Sequence, residues 1–478
     1  MNSIILFSRC ELVDLYGSIS ERLSENFNVI HLAYSKLEED ILRNKYGIKD
    51  IINFKHEIFR ILNDKDKDIS IEKLDSLFIE ETEGRFSFNN AIQSDRGFSI
   101  LNYQEATRLS KAYYMFWDNL LSQPNIQIVL HELPSLFFNH IAAVICKRNK
   151  IKYCSQVMVN SDKKYSFLFI EGDAANAFEV ELNHTNLVDS DIKNYKERAL
   201  KYIEGFVKDD TVYMGDFIPS KTPYFKMLVS SVRNELIKIR DKKKFDRLVD
   251  NIDYWSLINN ASLSRLKNVI EYKFRLNYDE INLNDKYYYY PIHLEPEAVV
   301  LYWGDGLYEG QIKLMQNIAA QLPPNTYLYV KDHPHYIGYR KYVDYQELQR
   351  VPNIKVLAPE ISGKSVIKKS QGVITINGTG GFEGVLMNKP VFVFGNAFYD
   401  FILDKVIKVK HIKDLRSKIE EAKSVVYEYD DSLLKFVNSY LMSCHEGVSD
   451  YFAGRINKYP IDIEKNSKSI ADAISAIN

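Results

Sequence analysis

The chain has 478 residues, a formal net charge of −2 and 46% hydrophobic residues. This length exceeds what one hydrophobic core usually organises, so we expect two domains. The near-neutral charge argues against nucleic acid as a partner. The four cysteines are scattered without a CxxC pair and indicate reduced thiols. The N-terminal stretch MNSIILFSRCELVD lacks the pattern of a secretory signal, and no later segment is apolar enough to span a membrane, so we expect a cytoplasmic protein.

In the first half, short apolar strands alternate with helical periods, which is typical of an α/β fold with parallel strands. The pattern predicts strands over 3–7, 28–32 and 126–130, and helices over 18–26 and 137–147. The strand at 126–130 runs directly into HELPS, residues 131–135. Because parallel sheets bind ligands beyond the carboxyl ends of their strands, this segment is a candidate site.

Residues 224–283 form a helical and locally basic segment, with the runs KIRDKKKFDR and RLKNVIEYKFR. We predict that it is a helical linker or insertion following a first domain over residues 1–223. Two interpretations of its charge stay open: a solvated face, or a face that docks on an anionic membrane.

The second half predicts a Rossmann-like domain over residues 284–411. Its strands are expected over 286–293, 326–330, 354–357, 373–376 and 390–394, and a helix over 309–321. Residues 412–478 are predicted to be helical and to pack back toward the first domain.

The tightest cluster of glycines lies in TINGTGGFEG, between the last two predicted strands. A sharp strand-to-helix turn needs residues that tolerate positive φ and close backbone approach. A helix N-terminus is also a ready site for phosphate. The motif alone leaves both explanations open.

Four runs of the second half occur in a characteristic order: YYYYPIHLEPEA, YEGQIKLMQNIAAQLPPNTYLYVKDHP, VPNIKVLAP and TINGTGGFEGVLMNKPVFVFG. Together they resemble the capsule polysaccharide biosynthesis family of glycosyltransferases, which includes Kdo transferases. The resemblance implies a GT-B-like α/β fold, in which two Rossmann-type domains face a cleft. It also implies transfer of Kdo, or of a nonulosonic acid of the sialic, pseudaminic or legionaminic type, from a CMP donor to a bacterial capsule or surface-glycan acceptor, without a further cofactor.

The resemblance implies that the second domain holds the nucleotide. Glu297 matches the carboxylate of the family's Gln-Pro-Glu-Ala motif, whereas Glu295 replaces its glutamine and, when ionised, cannot donate a hydrogen bond. His333 and Pro334 match the family's His-Pro motif, and His333 is expected to help the CMP leaving group depart. Lys331 is expected either to contact phosphate or to remain solvated.

The glycine turn is implied to form a third wall of the same pocket. Backbone amides and the Thr379 hydroxyl would hold phosphate, and Glu383 would accept hydrogen bonds from ribose hydroxyls. The residues implied in this wall are Asn377, Gly378, Thr379, Gly380, Gly381 and Glu383.

The first domain is expected to bind the acceptor and to supply the catalytic carboxylate. The catalytic candidates are Glu83, Asp95 and Glu132, with His333 acting on the leaving group. Arg96 suits the carboxylate of an ulosonic acid, because a guanidinium pairs with it through two hydrogen bonds. His131 and Ser135 lie beside Glu132 and are candidate substrate-binding residues.

The runs at 64–68 and 189–191 have the D-x-D spacing of metal-dependent transferases, but neither follows a predicted strand. We therefore expect a mechanism without a metal ion. The alternatives are a transferase or epimerase acting on a UDP-sugar, and a non-catalytic scaffold of capsule assembly. The expected partners are a nucleotide sugar and a glycan or glycolipid acceptor, with peripheral contact to the inner membrane or to capsule assembly proteins as an open interpretation.

Overall fold

The computed structural model describes residues 1–64, 69–187, 192–209, 224–259, 262–282, 284–297, 299–333, 336–402, 404–425, 427–451 and 456–477. The chain divides into two compact units. The first unit comprises Met1–Ala199, Arg247–Asn251 and Lys435–Asn478, and the second comprises Leu200–Asp246 and Ile252–Leu434. The C-terminal residues 435–478 thus belong to the same unit as the N-terminal segment.

The strands follow one another along the described chain as β1 (Ser3–Ser8), β2 (Asn28–Ala33), β3 (Ile51–Asn53), β4 (Ile126–Leu130), β5 (Lys152–Val159), β6 (Ser166–Glu171), β7 (Lys286–Pro291), β8 (Thr326–Lys331), β9 (Ile354–Leu357), β10 (Val373–Thr375), β11 (Val391–Val393), β12 (Val406–Lys408) and β13 (His445–Glu446).

The helices of the first unit are α1 (Leu12–Leu23), α2 (Lys36–Tyr46), α3 (Phe54–Asn63), α4 (Ile71–Glu81), α5 (Phe88–Gln93), α6 (Tyr103–Leu121), α7 (Phe137–Arg148) and α8 (Phe178–Asn186). The central helices are α9 (Ile192–Lys208), α10 (Tyr224–Asp241), α11 (Asn251–Ile258) and α12 (Ser262–Arg275). The remaining helices are α13 (Gln311–Gln321), α14 (Tyr342–Gln349), α15 (Gly363–Lys369), α16 (Thr379–Leu386), α17 (Leu415–Ala422), α18 (Asp431–Ser443) and α19 (Ile463–Ser475). None of the described helices is long and apolar enough to cross a membrane.

The first unit is built on a sheet of order β13-β6-β5-β4-β1-β2-β3. Strands β5 to β3 of this order are parallel, whereas β6 pairs antiparallel with β5, and β13 with β6. All six residues of β1 are buried, as expected for a central strand covered on both faces. Helix α19 covers α1, and its Ile470 and Ile474 share a core with Leu15 and Ile19.

The second unit is built on a parallel sheet of order β12-β11-β10-β7-β8-β9. Buried side chains of four adjacent strands, Tyr290, Val330, Ile374 and Phe392, contribute to one hydrophobic core. The carboxyl ends of these parallel strands all lie at one edge of the sheet, so the segments that follow them share that edge.

These sheets confirm the predicted α/β class with two Rossmann-type units, and β4 and β9 have the predicted bounds. The helix predicted over 18–26 begins at Leu12 instead. Ser18 lies within this helix, where its hydroxyl donates to the Leu15 carbonyl oxygen at 2.8 Å. The helix predicted from residue 309 begins at Gln311, because Gly310 adopts φ 82°.

Candidate active site

The glycine turn before α16 is packed so closely that its glycines are required mechanically. A Cβ atom on Gly378 would lie 2.7 Å from His293 Cε1, and one on Gly381 would lie 2.1 Å from the Tyr399 hydroxyl oxygen. Gly378 also adopts φ 78°. Thr379, by contrast, is exposed at the start of the helix. The turn therefore combines a tightly packed interior with an open helix N-terminus, which favours an anionic group.

Two histidines lie at this edge of the sheet. His293 Nε2 is 2.9 Å from Thr375 Oγ1, and the Thr375 hydroxyl donates to the main-chain oxygen of Asn377 at 2.9 Å. Burial, together with a smaller effect of the nearby His333 charge, lowers the pKa of His293 to about 4. His293 is therefore neutral at physiological pH and can exchange hydrogen bonds with a ligand without carrying charge.

An ion-pair network fixes the segment that contains Glu295. Arg340 Nε donates to Asp332 Oδ2 at 3.0 Å, and its Nη1 donates to Glu295 Oε2 at 3.1 Å. The other oxygen of Glu295 accepts from the amides of Gly310 and Gln311 at 2.7 and 3.1 Å, at the start of α13. Glu295 thus caps a helix and pairs with Arg340, so the residue that departs from the family's glutamine has its hydrogen bonds satisfied.

Two buried lysines, Lys331 and Lys364, act electrostatically on Glu383. Burial raises the pKa of Glu383 to about 7, although the charges of Lys364 and Lys331 act in the opposite direction. No side-chain hydrogen bond of Glu383 is formed within the described residues. Lys331 is buried and donates to the main-chain oxygens of Asp332 and Pro359 at 3.3 Å, so it is not solvated. Glu383 therefore remains available to accept hydrogen bonds from a ligand.

Two further residues of the predicted nucleotide wall have main-chain roles. The Glu297 carbonyl oxygen accepts from the amides of Val300 and Leu301 at 3.1 and 3.0 Å. Asn377 is fully buried below the glycine turn. Pro334 lies outside the described residues.

In the first unit, Glu132 is held by Arg9. Arg9 Nη1 donates to Glu132 Oε1 at 2.5 Å, and the guanidinium lies 5.1 Å from the centroid of the Tyr34 ring. Burial opposes ionisation of Glu132, but the charges of Arg9, His131 and Arg96 outweigh it and lower its pKa. Since its side chain is still 29% exposed, Glu132 is an ionised carboxylate that a substrate can reach.

The neighbours of Glu132 include two predicted substrate-binding residues. His131 Nδ1 lies 2.8 Å from the Phe7 carbonyl oxygen, and burial lowers the His131 pKa to about 4. The Ser135 hydroxyl donates to Glu132 Oε1 at 3.5 Å. Arg96 is close enough for its charge to lower the Glu132 pKa. The structure thus brings Arg96, His131, Glu132 and Ser135 close together.

A row of polar side chains crosses the carboxyl edge of the first sheet beside Glu132. The registers of β1 with β4 and of β4 with β5, continued past Leu130, place Ser8, Glu132 and Gln156 in one row. The Ser8 hydroxyl and both amide atoms of Gln156 are buried without a hydrogen-bond partner in the described part of the chain. Buried polar atoms usually have partners, so these atoms mark a place where a hydroxyl-rich ligand can bind.

Asp95 and Glu83, the other two carboxylates predicted as catalytic candidates, have framework and surface partners in the structure. Asp95 is buried, and its carboxylate accepts from the amides of Gly97, Phe98 and Phe137 at 2.6, 3.2 and 2.6 Å. Both oxygens are therefore occupied in joining a 3-10 turn to the start of α7, which is a framework role. The Glu83 side chain is 82% exposed and pairs with Lys147 at 3.0 Å.

Several residues at these edges were not identified from the sequence. Arg9 directly follows β1, so the rule that selected Glu132 could have found it. Arg340 and Lys364 lie on later segments, and only the folded structure shows that they reach the same edge as Asp332 and Glu383. Within the described residues, no group of three or more His, Cys, Asp or Glu side chains is arranged to hold a metal ion.

Taken together, the two sheets, with polar residues at the carboxyl edges of their parallel strands, define an α/β protein with two Rossmann-type units. Residues 254–435 match the sequence model of the family described as capsule polysaccharide biosynthesis protein. This match confirms the predicted resemblance and includes the whole candidate site of the second unit, from His293 to Glu383.

Curated relatives agree with this assignment. The chain is 31% identical over 100 residues to the capsule polysaccharide export protein KpsS of Escherichia coli, covering 18% of this chain and 24% of KpsS. It is 23% identical over 295 residues to the capsule polysaccharide modification protein LipB of Neisseria meningitidis serogroup B, covering 55% of this chain and 65% of LipB. The chain thus spans less than two thirds of the length of either relative.

Among the solved structures to which the chain is similar is the β-Kdo 2,4 transferase of KpsC from Thermosulfurimonas dismutans. It is 15% identical, with a TM-score of 0.33, and the similarity covers 74% of this chain and 88% of that one.

Proposed function

We propose that the chain is a capsule glycosyltransferase that transfers Kdo or a related nonulosonic acid from its CMP donor to a surface-glycan or glycolipid acceptor. The observation that carries the proposal is the convergence of His293, His333, Thr379 and Glu383 at one edge of the second sheet, inside the segment that matches the capsule family. In this proposal the second unit holds the donor, and the first unit binds the acceptor.

Each group at the second edge has a chemical task in the proposal. The amides at the start of α16 and the Thr379 hydroxyl bind the donor phosphate, since both are hydrogen-bond donors at a positive helix end. His333 donates to the departing phosphate oxygen, a role that needs no metal ion. Glu383 accepts hydrogen bonds from the ribose hydroxyls, because an ionised carboxylate can accept hydrogen bonds but cannot donate them.

Glu132 is the catalytic carboxylate in the proposal. Arg9 keeps it ionised, so it can act on the acceptor hydroxyl as a base or on the anomeric carbon as a nucleophile. Ser8 and Gln156 provide partners for acceptor hydroxyls beside it. Arg96 pairs with the carboxylate of the transferred sugar acid. Inversion of the anomeric configuration would assign Glu132 as the base, and retention would assign it as the nucleophile.

The first experiment compares the melting temperature of the chain with CMP, UDP, CMP-sugars and UDP-sugars, because a ligand of the folded state raises it. We expect stabilisation by CMP and its sugars. Thr379→Val should reduce that stabilisation, whereas the matched control Thr185→Val, at an exposed residue on α8, should not. Stabilisation by UDP alone would contradict the CMP donor and favour a UDP-sugar enzyme.

The second experiment measures CMP release from CMP-Kdo and CMP-nonulosonates with glycan acceptors. We expect release that depends on the acceptor and is lost in Glu132→Gln, while CMP still raises the melting temperature of that variant. Tight CMP binding with no release from any donor would instead indicate a non-catalytic capsule-assembly protein.

A further inference from the structure

Helix α10 carries an exposed apolar stripe that the proposed reaction does not use. Its members are 45 to 76% exposed: Leu228, Val229, Val232, Leu236 and Ile239. With about 100° between successive residues of a helix, these five positions fall within an arc of about 100°. Ser231, which lies about 110° from the middle of this arc, is 4% exposed. The stripe therefore lies outside the side on which α10 packs.

Basic residues border this stripe, which we call the α10 stripe. Lys226, Arg233 and Arg240 recur every seven residues and lie along one border, and all three are exposed. The run Lys242–Lys244 follows the helix directly. Residues 224–245 contain seven Lys and Arg against two Asp and Glu, in a chain whose net charge is −2. Positive charge is thus concentrated at the stripe.

The neighbouring helix extends the same type of surface. Helix α12 packs against α10 and exposes Leu263, Ile270 and Phe274 at 45, 41 and 75%. These residues, together with the exposed Lys267, lie on one face at helical spacing. Soluble proteins rarely expose large apolar side chains in such groups without a partner.

We propose that the α10 stripe docks α10 into the interfacial layer of an anionic lipid bilayer, with its axis parallel to the membrane plane. An apolar stripe bordered by Lys and Arg is the arrangement of interfacial amphipathic helices, and the basic border is complementary to anionic headgroups. The alternative of a helix that spans the bilayer does not apply to α10, which is not long and apolar enough. The proposal is independent of the donor sugar and of catalysis.

The test measures co-sedimentation of the full chain with vesicles of phosphatidylcholine alone and of phosphatidylcholine with about one third phosphatidylglycerol. We expect binding only to the anionic vesicles, weakened when salt is raised from about 0.1 M to about 0.5 M. Leu236→Gln with Ile239→Gln should weaken binding at least about tenfold, since both lose apolar contact with the bilayer. Lys226→Gln with Arg233→Gln should weaken it by a similar factor.

The substitutions are matched to controls of the same chemistry elsewhere in the second unit. Leu307→Gln changes an exposed leucine, and Lys410→Gln with Lys413→Gln changes two exposed lysines. These variants should bind vesicles as the wild type does. Glutamine is a good helix former, so the α10 variants should keep the wild-type melting temperature.

Three results would overturn the proposal. They are equal binding to both vesicle types, binding that the α10 substitutions leave unchanged, and absence of vesicle binding. In the last case, a dimer in sedimentation velocity that Leu236→Gln dissociates would identify a second copy of the chain as the occupant of the α10 stripe.

Discussion

Glu383 provides a quantitative prediction, because its pKa is raised from 4.5 to about 7 by burial. An acid with a higher pKa in the folded state than in the unfolded state binds its proton more tightly when folded. Its contribution therefore favours folding most below about pH 4.5 and is lost as the pH rises through about 7. Glu383→Gln is neutral at every pH and removes this dependence while keeping the shape of the protonated acid.

The magnitude follows from the difference between the two pKa values, which corresponds to about 3 kcal/mol above pH 7. Because Glu383 is partly exposed, solvent screening reduces this to about 1–2 kcal/mol. We therefore expect Glu383→Gln to unfold at a higher urea concentration than the wild type at about pH 8, and to differ little from it at about pH 5.

The assay is urea unfolding followed by tryptophan fluorescence across this pH range. Glu347→Gln, on the exposed side of α14, is the matched control and should follow the wild-type pH profile. Equal stability of Glu383→Gln and the wild type at about pH 8 would refute the account of this carboxyl group.

Three further predictions concern the framework and the first edge. Asp95→Ala should destabilise the chain by about 3 kcal/mol in urea unfolding, because three amides lose their acceptor, and Asp95→Asn should destabilise it less. If Asp95→Ala were as stable as the wild type, the framework role of Asp95 would be contradicted. Gly381→Ala should lower the free energy of unfolding by about 1–3 kcal/mol, since the new Cβ meets the Tyr399 hydroxyl. Adding Tyr399→Phe should recover part of this loss, and additive effects of the two substitutions would contradict the close packing of Gly381 against Tyr399. Arg9→Met should raise the pKa of Glu132 and move the acid limb of the pH–rate profile upward; an unchanged limb would contradict the pairing.

The parts of the fold carried by short apolar runs were predictable from the sequence. The strands β4, β7, β8 and β9 were found because each is a buried run bounded by polar residues. Strands β5 and β6 were not predicted. In β5 the polar Ser155 and Gln156 interrupt the apolar pattern, although the register places Gln156 in the row beside Glu132.

The site was predictable where a residue directly follows a strand. Glu132 was identified by this rule and His333 by the family's His-Pro motif, and both residues follow strands of their own sheets, β4 and β8. Asp95 was predicted to be catalytic, but a catalytic aspartate and a capping aspartate have the same sequence pattern, and only the structure shows that Asp95 is buried and accepts from main-chain amides. Arg340 could not be found, because its contact with Asp332 depends on the path of the loop between them.

The central claim is that the edge of the second sheet binds the donor nucleotide, and a crystal structure of the chain with CMP tests it most directly. We predict that the CMP phosphate lies within hydrogen-bond distance of Thr379 and His333, and that the ribose hydroxyls reach Glu383. Electron density for CMP at another place on the chain, or no density at saturating CMP, would contradict the claim.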